Sequence, residues 1–225
     1  MNWHFQPMNS HRIVPAGILA LLCLGVAVLG QSQAPASTNV APRQSQTSTN
    51  DETERKVEPV LEEAFFQARL GNHERAIPLF QQVLQTVPNH RRALFGLGTS
   101  YIAMQKYAEA TNVLWRSIQL DRSDYYALNN LAWIFAAAQD IRFRDGKRAI
   151  QLAQEALLHA PTDYRVWSTL AEAYYIAGEY ARARRAAEEA LRIVQQLNLP
   201  TNTVQEYQQQ VQRCRAAEQA MNILE

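Results

Sequence analysis

The sequence predicts an all-α fold, a solenoid of about four stacked helix hairpins closed by one further helix. From about Val57 onward, apolar residues recur at spacings of three and four, which is the period of an amphipathic helix. The same stretch repeats itself with a period near 34 residues. A helix hairpin of that length cannot bury its apolar face alone, so neighbouring hairpins must stack and share one core.

The composition is that of a folded protein with no strong electrostatic preference. The chain has 225 residues, 47% of them hydrophobic, and a formal net charge of +1. This charge balance argues against binding to nucleic acid or to an anionic membrane surface. The two cysteines, Cys23 and Cys214, lack the partners for a disulfide framework or a zinc site.

The first element is an uncharged run, Ile13 to Leu29, preceded by Arg12. We expect residues 1–30 to be either a cleaved secretory signal peptide, with cleavage after Gly30, or an uncleaved N-terminal membrane anchor. A buried helix of the fold is the remaining alternative. In the first two cases Arg12 directs the rest of the chain across the membrane, so the protein is predicted to be exported, periplasmic or otherwise extracytoplasmic.

Residues 31–52 consist mainly of Ser, Thr, Gln, Ala and Pro and hold almost no bulky apolar side chain. Such a segment cannot pack into a core, so we predict a disordered tether that ends where the folded domain, residues 53–225, begins.

The folded domain divides into four repeats, at about 57–90, 91–124, 125–163 and 164–197. The clearest are the second and the fourth, which carry the same residue types at the same offsets: Leu94, Leu97, Gly98, Tyr101 and Ala110 in one, and Trp167, Leu170, Ala171, Tyr174 and Ala183 in the other. This pattern resembles the tetratricopeptide repeat family. The resemblance implies a right-handed α-solenoid in which small residues let the two helices of a hairpin approach closely.

Two repeats depart from the pattern, and one helix follows them. In the first repeat Gln67 stands where the pattern has tyrosine, which predicts an irregular helix register or turn. The third repeat carries five extra residues in the segment 140–146 and is similar to a variant repeat with a longer turn. Beyond Pro200, residues 203–222 are predicted to form a capping helix whose buried stripe includes Cys214.

The sequence contains no recognised catalytic or metal-binding motif. Gly96 and Gly98 begin a G-x-G-x-x-G motif, but Tyr101 replaces its third glycine and no strand precedes it. The histidines lack metal-ligand spacing, and no nucleophile elbow occurs. The sequence therefore predicts no enzyme activity, no cofactor and no metal.

The resemblance also implies a binding site, since the first helix of each repeat lines a concave groove in this family. Carried over by offset, the predicted groove residues are Arg92, Phe95, Thr99, Ile102, Tyr126, Asn129, Asn130, Trp133, Arg165, Ser168, Glu172 and Tyr175. The family's carboxylate clamp, which holds acidic C-termini, is only partly matched, by Asn130 and Arg165.

The predicted function is a protein–protein interaction scaffold that holds a peptide or helix of an unidentified protein partner, within an envelope assembly. A structural subunit that uses convex or end surfaces is the alternative. An RNA-binding helical repeat is a distant third, because it would need a basic stripe. If the N-terminal segment is uncleaved, it provides the only expected membrane contact.

Overall fold

The structure is a computed structural model that describes residues 45–224. Within this range the chain forms nine α-helices and one short 3₁₀ helix. The helices are α1 (Ser45–Arg69), α2 (His73–Thr86), α3 (Arg91–Ala103), α4 (Tyr107–Leu120), α5 (Tyr125–Ala137), α6 (Gly146–His159), α7 (Tyr164–Ile176), α8 (Tyr180–Gln196) and α9 (Thr201–Leu224), and the 3₁₀ helix is Ile141–Phe143.

The helices stack as four consecutive hairpins, α1/α2, α3/α4, α5/α6 and α7/α8, each packed against the next, and α9 packs against α8. The first helices α1, α3, α5 and α7 also contact one another in order. This arrangement matches the predicted repeats and places the predicted groove residues on one series of adjacent helices.

Small residues let the helices approach closely, as predicted. Ala132 and Ala171 on first helices and Ala149 and Ala183 on second helices are completely buried. A methyl group added at Gly98 would lie 2.8 Å from Leu114 Cδ2 on the partner helix. Larger side chains would force the hairpins apart.

The pattern tyrosines join neighbouring repeats through hydrogen bonds as well as apolar contact. Gln81 Nε2 donates to Tyr101 Oη at 2.9 Å, and Gln154 Nε2 donates to Tyr174 Oη at 3.0 Å. In both cases the glutamine lies on the second helix of the preceding repeat. A buried tyrosine ring with a satisfied hydroxyl contributes to the shared core without leaving a polar group unpaired.

The prediction of an irregular first turn is wrong. Asn72 N donates to Gln67 O at 2.9 Å, and the corresponding bonds to Tyr101 O and Tyr174 O in repeats two and four have the same length. Gly71 has a positive φ of 80°, close to the 79° of Gly178. In repeat two Gln105 takes the same left-handed conformation, with a φ of 58°. The turn is therefore set by its backbone conformation and hydrogen bonds, and the side chain at the tyrosine position does not determine it.

The longer turn of the third repeat lies where it was predicted, between Ala138 and Gly146. Arg144 Nε donates to Ala138 O at 2.8 Å, which closes the turn. The ring of Phe143 packs on Tyr107, with the centroids 5.5 Å apart, and Tyr107 Oη accepts a hydrogen bond from Gln139 N. The inserted residues therefore join the second repeat to the third.

The predicted capping helix is present as α9. Tyr207, Val211 and Cys214 form its buried side, and its outer face is polar. Burial raises the pKa of the Cys214 thiol to about 11, which agrees with its prediction as a small buried apolar residue.

The N-terminal boundary requires a correction. Helix α1 begins at Ser45, so residues 45–52, which were assigned to the disordered tether, are helical. Glu52 and Lys56 form an ion pair at 2.8 Å, at the spacing of four residues that supports a helix. The predicted signal or anchor segment and residues 31–44 of the tether lie outside the described residues. Among residues 45–224, none of the helices combines the length and the apolar character needed to span a membrane.

Candidate protein-binding groove

The groove face is here the surface of α1, α3, α5 and α7 that carries the predicted groove offsets. Of the predicted residues on it, eight are half-buried: Arg92, Phe95, Thr99, Tyr126, Trp133, Ser168, Glu172 and Tyr175. Ile102 is buried, and Asn129, Asn130 and Arg165 expose only 7%, 3% and 8% of their surface. The predicted site is therefore much less polar than its sequence suggests.

At the N-terminal end of the groove face, Arg92 bridges two consecutive turns of α1. Its guanidinium contacts Glu58 Oε1 at 2.7 Å and Glu62 Oε1 at 2.5 Å, and it lies over the Phe65 ring at 5.4 Å. Burial alone would lower the pKa of Arg92, but the hydrogen bonds and charges of Glu62 and Glu58 raise it above its ordinary value. The Arg92 guanidinium is therefore already bound by side chains of its own chain.

The centre of the groove face is an aromatic cluster. The ring centroids of Phe95 on α3 and Tyr126 on α5 are 5.5 Å apart, and those of Tyr126 and Tyr125 are 4.0 Å apart. The guanidinium of Arg165 lies 5.7 Å from the Tyr126 ring. These contacts hold the rings in place before any partner arrives, which lowers the entropy cost of binding.

Arg165 itself forms a nearly buried ion pair with Asp163. Its Nε donates to Asp163 Oδ1 at 2.8 Å, and its terminal amino group donates to the other carboxylate oxygen. Burial opposes the charge of Arg165, but the hydrogen bonds and charge of Asp163 raise its pKa above the ordinary value. This geometry leaves the centre of the face without a free charge.

Asn130 is buried because its offset faces the preceding repeat. The same offset in the second repeat is Gly96, where an added Cβ would lie 2.3 Å from Phe80 Cζ of the first repeat. Asn129 Oδ1 and Asn130 Nδ2 are both buried without a hydrogen-bond partner among the described residues. Thr99 Oγ1 donates back to Phe95 O and Gly96 O of its own helix.

Trp133 is a predicted groove residue, whereas Trp167 occupies a position of the repeat pattern. Both are half-buried and both pack against the core. Trp167 has the additional contacts, because it also touches the smaller apolar cluster around Tyr207 and its Nε1 donates to Pro161 O at 2.8 Å. The two tryptophans therefore differ in the number of their contacts, and both contact the core.

The C-terminal end of the groove face is occupied by α9. Gln210 Nε2 donates to Ser168 O and to Glu172 Oε1, and Ser168 Oγ donates back to Gln210 Oε1. Arg213 pairs with Glu172 and lies 4.5 Å above the Tyr175 ring. Three of the four predicted groove residues of repeat four, Ser168, Glu172 and Tyr175, thus contact the capping helix.

Sequence reasoning missed four residues that contact the predicted groove residues: Glu58, Glu62, Gln210 and Arg213. A usable signal existed for Glu58, because Glu58 and Arg92 occupy the same offset in adjacent repeats with opposite charge. Across residues 45–224 no cluster of His, Cys, Asp and Glu has the geometry to hold a metal ion. The arrangement offers binding contacts, namely aromatic faces and exposed carboxylates.

Comparison with known proteins gives the class of the chain. Residues 68–134 and 140–200 match the tetratricopeptide repeat family, and together they span more than half of the chain. The chain therefore belongs to the tetratricopeptide repeat family, whose members generally serve as non-catalytic protein-binding scaffolds. No curated protein matches its sequence.

Solved structures agree on the fold. TTC0263, a thermophilic TPR protein of Thermus thermophilus, is similar with a TM-score of 0.58 and 16% identity, over 73% of this chain and 86% of that one. PilF of Pseudomonas aeruginosa has a TM-score of 0.58 and 17% identity, over 72% and 78%. MamA 41-end from Desulfovibrio magneticus RS-1 has a TM-score of 0.53 and 16% identity, over 73% and 96%. At these identities the likeness concerns the fold alone, the predicted right-handed α-solenoid.

Proposed function

We propose that this chain is a protein–protein interaction scaffold that binds a peptide or helix of a partner on its groove face, within an assembly of the cell envelope. The observation that carries the proposal is the aromatic cluster at the centre of that face. Phe95 and Tyr126 contact each other, Trp133 lies two turns beyond Tyr126 on α5, and all three side chains are partly exposed on packed helices. Preordered aromatic side chains are the groups that most often dominate binding energy at interfaces.

The surroundings of this cluster support the same assignment. Arg92 is held at one end of the face and Glu172 at the other by contacts within the chain. A partner would therefore meet a central patch of aromatic rings bordered by fixed polar groups. That arrangement is typical of a binding hot spot, where the border excludes water and the centre supplies the affinity.

The test is affinity purification of the full chain from its native membrane fraction, with partners identified by mass spectrometry. Trp133→Ala should weaken the captured complex by about 2 kcal/mol, the usual cost of removing a central aromatic anchor. Leu158→Ala is the matched control, because Leu158 is 81% exposed on the second helix α6. Equal capture by Trp133→Ala and wild type would refute the groove assignment.

One observation favours the alternative, a structural subunit that docks through an end surface. Phe66 lies in the last turn of α1 and Leu70 directly follows the helix, and they expose 47% and 59% of their surface. If the end surface binds the partner, Phe66→Ser and Leu70→Ser should abolish capture and Trp133→Ala should not. The same purification therefore separates the two functions.

The envelope location is part of the proposal and is supported by the uncharged run Ile13 to Leu29 behind Arg12. Reporter fusions placed after Ile102 test it directly. A reporter that works only outside the cytoplasm should be active. Activity confined to a cytoplasm-dependent reporter would overturn the localisation and leave the binding proposal intact.

A further inference from the structure

The charges of the groove face are balanced everywhere except at its N-terminal end. In the centre Arg165 is neutralised by Asp163, and at the C-terminal end Glu172 is neutralised by Arg213. At the N-terminal end a single guanidinium, that of Arg92, faces two carboxylates. The ion-pair cluster of Glu58, Glu62 and Arg92 therefore carries one net negative charge.

That surplus charge is also the accessible one. The side chains of Glu58 and Glu62 are 46% and 48% exposed, whereas that of Asp163 is only 11% exposed. Arg55, one turn before Glu58 on the same face of α1, forms no ion pair with either glutamate in the structure, where Arg92 is their partner. Arg69, also on this face, lies seven residues beyond Glu62, which is about 10 Å along a helix. This distance is too long for a direct ion pair, so Glu58 and Glu62 remain available to a partner.

The middle of the face offers aromatic rings in place of charge. Phe65 lies beneath Arg92, Phe95 follows on α3, and Trp133 lies on α5. The one cation among the central residues is Arg165, whose side chain is 9% exposed and already bonded to Asp163. An acidic peptide would thus find no free cation in the centre and a repulsive carboxylate pair at one end.

We infer that the segment bound by the groove face is aromatic or aliphatic in its middle and carries a lysine or arginine that reaches Glu58 and Glu62. This inference rests on the proposed function and gives the chemical class of its ligand. Adjacent helices pack about 8–10 Å apart, so α1 and α5 are about 20 Å apart. An extended chain covers this distance in about six residues, which sets the spacing between the cation and the anchor over Trp133.

The experiment is selection of random peptides displayed on phage against the immobilised full chain, followed by affinity measurement on synthetic copies. The selected peptides should combine a basic residue with an apolar anchor about six positions away. They should lose affinity for Trp133→Ala. Glu58→Gln should weaken them about three- to fivefold, the size expected for one exposed ion pair, and should flatten their salt dependence.

Glu58→Gln preserves the fold because Arg92 keeps its contact with Glu62. Glu63→Gln is the matched control, since Glu63 is exposed, bonds to Gln67 and does not contact Arg92 in the structure. Acidic peptides that depend on Trp133, or equal effects of the two glutamine variants, would overturn the inference and leave the groove function intact. Peptides indifferent to Trp133→Ala, or no selected peptides, would overturn both.

Discussion

The packing of α3 predicts that alanine destabilises the fold at one of its two glycines and leaves it nearly unchanged at the other. Replacing Gly96 by alanine places a Cβ 2.3 Å from Cζ and 2.4 Å from Cε1 of Phe80, whereas ordinary carbon contacts are about 3.5–4.0 Å. The Phe80 ring is completely buried and packs edge-on against Phe65, with centroids 5.0 Å apart. The ring therefore has no free space into which it can move.

The expected magnitude follows from two opposing terms. Alanine gains about 1 kcal/mol over glycine inside a helix, and overpacking a rigid core costs about 1–3 kcal/mol. The Phe80 ring would have to move by about 1 Å or more, which puts Gly96→Ala at the upper end of that cost. The net loss in the free energy of unfolding is then about 2 kcal/mol. At Gly98 the obstacle is the flexible end of Leu114, 2.8 Å away, so the two terms nearly cancel.

The assay is urea unfolding followed by far-ultraviolet circular dichroism. A loss of about 2 kcal/mol should lower the midpoint by about 1 M, given the usual slope for a domain of this size. Gly98→Ala should unfold close to wild type. Phe80→Leu, which removes the rigid ring, should restore part of the loss in the double variant. A Gly96→Ala protein as stable as wild type would refute the reasoning.

Three further changes test other parts of the solenoid. Asp163→Ala should destabilise the fold by about 3 kcal/mol in thermal melts, because it removes the carboxylate that neutralises the nearly buried Arg165, whereas Asp145→Ala, which removes only a helix cap, should cost about 1 kcal/mol; equal losses would contradict this. Burial lowers the pKa of His73, so the free energy of unfolding should decrease as the pH falls below about 6.5. His73→Gln should flatten the dependence of this free energy on pH between about pH 7.5 and pH 5.5. An unchanged dependence would exclude His73 as the cause. Phe143→Ala should cost about 1–2 kcal/mol without loss of helix content, and an unchanged melting temperature would mean that the inserted turn does not stabilise the junction between repeats.

The repeats could be predicted from sequence because each packing position is specified several times. The position of small residues recurs in every hairpin, and so does the apolar spacing around it. The inserted turn could be located for the same reason, since the flanking pattern resumes at Ala149 after the interruption. The first turn was mispredicted because Gln67 was judged by its side chain, although the turn is formed by backbone hydrogen bonds.

The groove was harder to predict because its side chains act across repeats. An offset rule assigned Asn130 to the groove, but Asn130 is only 3% exposed. At the same offset in the second repeat, a Cβ on Gly96 would meet Phe80 of the preceding second helix. The same rule could not show that Arg92 is held by Glu58, whose position lies 34 residues earlier. Which charges remain free depends on such pairs, and one repeat read alone does not contain them.

The close-packing positions of this chain are alike in every repeat, whereas the positions on its groove face vary. This difference indicates where its function should lie. The close-packing position of the first helix is small in all four repeats: Ala64, Gly98, Ala132 and Ala171. The second offset, on the groove face, holds three different residue types in the four repeats: Glu58, Arg92, Tyr126 and Arg165. Close packing restricts a position to one size in every repeat, whereas the groove face has no such restriction. The four residues nevertheless form an ordered series, in which a carboxylate neutralises the next arginine and a tyrosine lies against the last one. Under the proposed function, a face whose residues vary from repeat to repeat would present different contacts along its length, which would distinguish the direction and register of a bound chain.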